Sequence, residues 1–219
     1  MANGYRLFLQ EFWSNFHTTG SIAPSGKALA AALTRHVPRS NDGTSGGAPR
    51  RVLEVGPGTG AVTATLVKRL PAGDSLTLVE LNDRFVAHLH DRFQTEPTFR
   101  AVSDRTEIVH DRLENLCGNQ PFDVIVSGLP LNNFSSEAVE QILQTLEQLL
   151  APGGRLSFFE YIAVRAARQR ISRGSERQRL EGITSALHGV FSRHQHQREW
   201  VWPNVPPAWV HHLQKSVSA

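Results

Sequence analysis

From residue 51 onward the chain alternates apolar runs with amphipathic ones, and that alternation predicts an α/β fold around a mainly parallel sheet. Two further observations support it. The first apolar run, VLEV at residues 52–55, breaks into glycines at 56, 58 and 60 and then into a helix-forming segment. The last two runs, residues 196–202 and 208–214, are strand-like and joined by Pro-Asn-Val-Pro-Pro. They read as a hairpin, which puts one antiparallel strand into the sheet.

The elements follow in order. Residues 51–55 form a buried strand and 61–70 a helix; 75–81 (SLTLVEL) form a strand and 83–93 a helix. Residues 106–110 form a short strand, and 122–127 (FDVIVS) another. A helix over 135–150 starts at Ser135 or Ser136, whose hydroxyl suits an N-cap, and stops at Pro152-Gly153-Gly154. Residues 155–162 form a strand. Residues 38–50, PRSNDGTSGGAPR, hold almost no apolar side chains and read as a linker. The chain therefore divides into an N-terminal helical segment (1–37), the linker (38–50) and one α/β domain (51–219).

With 219 residues, 40% of them hydrophobic, the chain is long enough for one well-buried domain. A single cysteine, Cys117, excludes an internal disulfide and suits a reducing compartment. No apolar run reaches the ~18 residues of a membrane-spanning helix, and the N-terminus lacks the pattern of a signal peptide. The formal net charge is +3 with a pI near 9.5.

The glycine loop is the first functional signal. Glycines let the backbone turn sharply and approach a ligand, and the next helix offers its N–H groups to it. By spacing alone, Gly56, Gly58 and Ala61 also satisfy a dinucleotide pattern. Glu80 ends the second strand, where a carboxylate accepts hydrogen bonds from ribose hydroxyls of either kind of cofactor. Glu54 is more telling. It is an acid inside an apolar strand end, costly to bury without a partner. A cofactor carrying an ammonium group supplies one, and a dinucleotide has none.

VLEVGPGTG, with LVEL some twenty residues on, resembles motif I and the acidic second strand of class I S-adenosylmethionine-dependent methyltransferases. The resemblance implies a Rossmann-like, seven-stranded, mostly parallel sheet with a C-terminal antiparallel hairpin. It implies S-adenosyl-L-methionine as cofactor and S-adenosyl-L-homocysteine as product. Glu54, Gly56, Gly58, Gly60, Glu80 and Leu81 are then cofactor-binding residues, and Asp111 faces the adenine amino group. Ser127 and Gly128, at the end of the fourth strand, complete the set. The turn they open, SGLPLNNF at 127–134, lies where amino-group methylases carry an N/D-P-P-Y-like turn that aligns the target nitrogen. Here the aromatic is absent, so a flat base loses its stacking partner.

Ahead of the linker, Tyr5, Phe8, Leu9, Phe12, Trp13 and Phe16 fall on one helical face. Such a helix either packs on the domain or lies in lipid headgroups, where Trp and Tyr are favoured. An Ala-rich helix capped by Ser25 follows. The combination FLQEFWSNFHTTGSIAPSGKALA, ahead of VLEVGPGTG and SGLPLNNF, resembles the bacterial phospholipid N-methyltransferases, over residues 7 to 165. The resemblance implies stepwise N-methylation of phosphatidylethanolamine toward phosphatidylcholine. It implies a cytoplasmic enzyme, peripheral on the inner face of the cytoplasmic membrane, with anionic lipid and phosphatidylethanolamine as partners and no protein partner. Phe12, Trp13, Ser21, Ile22, Leu129, Asn132, Arg165 and Arg168 are its expected lipid-binding residues. Tyr161 and Glu160, at the end of the fifth strand, are candidate catalytic residues by position, with His17 behind them.

Residues 165–179 hold six arginines and one glutamate. Such a cluster suits anionic headgroups or RNA phosphates, or is a solvated helix face. No interleaved aromatics support base stacking, which argues against nucleic acid. His194, His196, His211 and His212 lack a nearby set of metal ligands in sequence, so no metal is expected and an exposed hairpin is. Three other readings remain: an rRNA adenine N6-dimethyltransferase-like enzyme, a small-molecule methyltransferase, and a lipid- or nucleotide-binding protein with a decayed site. The intact Glu54, glycines and Glu80 argue against the last.

Overall fold

Val52 and Leu53 are adjacent on the first strand and both fully buried, yet they belong to different cores. Successive strand residues point to opposite faces, so a sheet covered on both sides splits its apolar residues this way. The computed structural model describes residues 24–37, 48–116, 120–161, 175–204 and 206–217. Seven strands form one sheet: β1 (Arg51–Val55), β2 (Ser75–Glu80), β3 (Thr106–His110), β4 (Phe122–Ser127), β5 (Leu150–Tyr161), β6 (Gln195–Val201) and β7 (Ala208–Gln214). Their spatial order is β3-β2-β1-β4-β5-β7-β6. The first five run parallel, and β7 lies antiparallel between β5 and β6. This is the mostly parallel sheet with a terminal antiparallel hairpin that the sequence predicts.

Among the described residues the helices are α1 (Pro24–Leu33), α2 (Thr63–Arg69), α3 (Asp83–Thr95), α4 (Pro97–Arg100), α5 (Ser136–Leu149) and α6 (Ser175–Arg193). One core joins Leu53, Ile125, Leu156 and Phe158 to Ile142 and Leu146 of α5 and Ile183, Leu187 and Val190 of α6. The other joins Val52, Leu78, Val126 and Phe159 to Leu29 and Leu33 of α1, Leu66 of α2 and Leu89 of α3. Truncating one such side chain to Ala typically costs about 2–5 kcal/mol. Caps fix two helix starts. The Asn82 side chain accepts from the N–H of Arg84 at 2.9 Å, and the Ser135 hydroxyl accepts from Ala138 at 3.2 Å.

Four expectations are revised. The Ala-rich helix α1 already includes Pro24, so Ser25 lies within its first turn and is not its cap. The segment 61–62 is a turn, and α2 starts only at Thr63. β5 starts at Leu150, not after Gly154. The Lys215 ammonium donates to the carbonyls of Glu147 and Leu150, both at 2.7 Å, closing α5 without a glycine stop. Gly153 and Gly154 then pair with the Lys215 backbone. The hairpin histidines, expected exposed, are not: His211 and His212 are 3% and 5% exposed. His211 bonds His196 at 2.9 Å and Glu160 at 3.0 Å on one face. On the other, His212 bonds Ser157 at 2.8 Å and Glu199 at 3.1 Å, with His36 against its ring. α6 is a further element, and its helical spacing shows in the buried Leu180, Ile183, Leu187 and Val190.

Burial, helped by His212 and Arg155, pushes the His36 imidazole down to about 4. Burial, with His211 beside it, does the same for His196, also to about 4. A histidine held below its unfolded value of ~6.5 destabilises the fold as pH falls, because the unfolded chain takes up the proton first. Both groups therefore support the fold fully above about pH 6.5 and withdraw that support toward pH 4. The thermal midpoint should drop by roughly 5 °C between pH 7 and pH 5, and the drop should shrink in His196→Gln. A midpoint flat across that range would contradict the assignment.

Candidate cofactor and acceptor site

β1 ends at Val55 between β2 and β4, so the chain leaves it at the centre of the sheet edge. Gly56, Gly58 and Gly60 take positive φ values of 66°, 56° and 78°. At Gly60 the need for glycine is twofold, since a Cβ would also lie 2.6 Å from the Arg92 guanidinium. That guanidinium, from α3, donates to the carbonyls of Thr59 at 2.8 Å and Gly60 at 2.9 Å. Its other nitrogens hold Glu96, and its plane covers the Phe99 ring at 4.1 Å. On the opposite side Glu80 accepts from the Gly58 N–H at 3.0 Å, and its second oxygen accepts from Leu81 and Asn82, each at 2.9 Å. Burial raises the Glu80 carboxyl above its usual range, and these backbone donors oppose the rise.

Gly128, after β4, completes the wall. A Cβ there would meet the Gly56 carbonyl at 2.7 Å, so only glycine lets the two loops touch. Its N–H donates to Val55 at 2.8 Å. Leu129 packs over Gly56, and Leu131 and Asn132 are buried. The Asn132 amide donates to the Tyr161 carbonyl at 3.1 Å, tying this turn to the end of β5. Arg179 of α6 donates to the carbonyls of Asn132, at 3.1 Å, and Phe134. The carbonyls of Gly128 and Leu129 receive no hydrogen bond among the described residues.

Glu54 is fully buried, and neither of its oxygens has a hydrogen-bond partner among the described residues; nor has the Thr63 hydroxyl. Burial pushes the Glu54 carboxyl up to about 8, with Thr63 approaching and tempering the rise and Glu80 adding to it. An orphaned acid of this kind awaits a cation or a donor. Asp111, at the mouth of β3, is held below the usual carboxylate range by the Arg112 N–H and the Asn115 amide, each at 2.7 Å. Ser127 is buried at the end of β4, with Leu129 N–H 3.4 Å from its hydroxyl.

The fold thus gathers Glu54, Gly56, Gly58, Gly60, Glu80, Leu81, Ser127, Gly128 and Leu129 at one sheet edge, with Asn132 just beyond. Glu160 and Tyr161 share the end of β5 but leave the sheet on opposite faces. Glu160 bonds His211, while Tyr161 packs edge-on against Phe159. The expected roles of Phe12, Trp13, His17, Ser21, Ile22, Arg165 and Arg168 fall outside the described residues. Arg92 was missed in sequence, since a helical arginine gives no local sign of reaching a loop in another βα unit. Among the described residues no group of three or more potential ligands is placed to hold a metal ion.

A glycine loop at the first strand, an acid closing the second and a sheet that ends in an antiparallel hairpin define the class I S-adenosylmethionine-dependent methyltransferases. Comparison with known proteins agrees. A family described as a methyltransferase domain matches residues 52–154. Ornithine lipid N-methyltransferase of Singulisphaera acidiphila is 30% identical over 152 residues, 68% of this chain and 73% of that protein. The chain therefore belongs to the S-adenosylmethionine-dependent methyltransferases. Ribosomal RNA small subunit methyltransferase A of Dehalococcoides mccartyi is 36% identical over 101 residues, 46% of this chain but 32% of that protein. Among solved structures, 1,6-didemethyltoxoflavin-N1-methyltransferase of Burkholderia thailandensis, with bound S-adenosylhomocysteine, superposes at TM-score 0.64 with 18% identity, covering 99% of this chain and 91% of that one.

The residues fit S-adenosylmethionine. Glu54 and Glu80 offer one unpartnered and one hydrogen-bonded acid, matching the cofactor's ammonium group and ribose hydroxyls. Binding an ammonium requires Glu54 ionised, so it should release a proton at neutral pH. The affinity for S-adenosylhomocysteine should rise by up to about tenfold per pH unit between pH 6 and 8. Glu54→Gln should bind more weakly and lose that slope; calorimetry in two buffers of different ionisation enthalpy reads both. Without ligand the sign reverses. A carboxyl raised in the fold supports it below its unfolded value and loses that support as pH rises through about 8. Unliganded Glu54→Gln should therefore outlast the parent at pH 9.

Proposed function

We propose that this enzyme methylates the primary amine of a membrane aminolipid, with phosphatidylethanolamine, carried stepwise toward phosphatidylcholine, as the leading acceptor. The observation that carries this reading is the turn after β4. Its Gly-Leu-Pro-Leu-Asn sequence offers two backbone carbonyls, at Gly128 and Leu129, and no ring on which a nucleobase stacks. The relationship to ornithine lipid N-methyltransferase supports an aminolipid, and makes ornithine lipid the second acceptor to test. On this reading the protein works peripherally at the cytoplasmic leaflet. Among the described residues no helix is long and apolar enough to cross a membrane.

The bound cofactor supplies an electrophilic methyl group on a sulfonium centre. The chain's own residues prepare the amine. An aminolipid ammonium, with a lysine-like pKa of ~10, first loses a proton. The carbonyls of Gly128 and Leu129 then accept from the remaining N–H groups and aim the lone pair. Burial raises the Tyr161 hydroxyl above its ordinary value. The hydroxyl therefore keeps its proton and does not serve as the base, which leaves its ring face to the alkylammonium product. Glu160, bonded through His211 to His196, offers the proton a route away from the strand end.

Incubation with methyl-labelled S-adenosylmethionine and liposomes containing phosphatidylethanolamine or ornithine lipid, followed by resolution of the lipids, tests the reading. Labelled N-methyl lipid is expected. Its absence from both, with cofactor binding intact, would sink the proposal, and label in RNA would replace it with the nucleic-acid alternative.

The final product has no N–H left for the turn carbonyls, so the aromatic face matters more at each step. Tyr161→Ala should slow the third methylation by about tenfold more than the first. Time courses of mono-, di- and trimethyl lipid measure this, and equal slowing at all three steps would remove Tyr161 from that role.

A further inference from the structure

Three of the chain's four tryptophans stand together on the hairpin. Trp200 and Trp202 are 42% and 66% exposed, the largest exposed aromatic surface among the described residues. Their rings stack in parallel with centroids 4.6 Å apart, and Trp200 leans on Trp209 across the strand pair at 4.4 Å. The exposed Arg198 lays its guanidinium 4.5 Å over the Trp209 ring. Pro203, Pro206 and Pro207 follow in sequence, and the buried Asn204 amide donates to the Pro206 carbonyl at 2.8 Å.

Register fixes where this tip lies. Tyr161 pairs with Ala208, which pairs with Val201. The tip therefore projects beyond the end of β5, at the edge of the sheet where the Gly56–Gly60 loop and the Gly128–Leu131 turn emerge. Stacked, exposed indoles at the end of a hairpin, with a cation beside them, match the headgroup region of a bilayer, where indole rings find both apolar and polar neighbours. A protein partner fits poorly. A specific interface buries on the order of 1,000 Å² or more, and a full tryptophan side chain offers at most ~250 Å².

We propose that Trp200 and Trp202 anchor the enzyme in the headgroup layer of a phospholipid bilayer and hold the acceptor turn against it. The proposal rests on the aminolipid reading for its purpose but is tested apart from it. In the full chain carrying Trp13→Phe, all indole emission comes from the hairpin. Vesicles of phosphatidylcholine and phosphatidylglycerol, without aminolipid, should shift that emission to the blue, and brominated acyl chains should quench it. Trp200→Ser/Trp202→Ser should lower vesicle partitioning by about tenfold with an unchanged circular dichroism spectrum. Trp202→Ser alone, at the turn, covers the case in which the double variant misfolds. Unshifted, unquenched emission or undiminished partitioning would overturn the anchor. So would concentration-dependent self-association without vesicles that the double variant abolishes, which would make the tip a contact between copies. If the anchor holds while no lipid is methylated, only the aminolipid reading falls; if lipid is methylated with unshifted emission, only the anchor does.

Discussion

The cofactor loop has almost no side chains of its own, so its shape is imposed by neighbours. Arg92 of α3 takes two of its carbonyls and Glu80 of β2 takes one of its N–H groups. A charged donor and a charged acceptor thus grip the loop from either side, and charge-assisted bonds to backbone are among the stronger available. The grip explains why the loop keeps three successive positive-φ glycines without collapsing. It also explains a long reach across the fold. Phe99 and Glu96, beyond the end of α3, position the guanidinium and so position the loop.

The same edge of the sheet carries an unfavourable element. Glu54 is a fully buried acid with no hydrogen-bond partner among the described residues. Left alone, such a group costs stability or keeps its proton. Its retention makes sense as strain stored for a ligand. The histidine networks of β7 make a contrast. They too are buried polar groups, but the His211 and His212 rings are bonded at both nitrogens and stiffen the strand that carries the tip.

Much of the fold was legible because the strands are locally consistent. VLEV, SLTLVE and FDVIVS announce themselves by β-branched runs, and their glycine and serine ends by composition. Glu54, Glu80 and Gly128 were legible as candidate site residues because each sits at a fixed offset from a strand end, and the fold brings the three to one sheet edge. Long-range pairing was not. Nothing near Lys215 tells that it closes α5, and nothing near Arg92 tells that it faces Thr59. The histidines looked exposed because HQHQRE alternates polar residues, whereas β6 and β7 are covered by His36 on one face and Phe191 on the other. The tryptophans at 200, 202 and 209 were legible as strand residues only. That they meet at one tip follows from register, which sequence alone does not set.

The contact between Gly128 and the Gly56 carbonyl has a consequence for how such enzymes diversify. With no space between the two loops, a change at the first residue of the acceptor turn is felt at once by the cofactor. Past Leu129 the constraint changes in kind: the Leu131–Asn133 segment is fastened through side chains, by buried Leu131, by the Asn132 amide on the Tyr161 carbonyl and by Arg179 reaching over from α6. Acceptor preference has room to drift there, by exchange of side chains and by re-aiming one arginine, while methyl-donor recognition stays inherited. The molecule thus places a backbone-locked hinge and a side-chain-held lip within six residues of one loop.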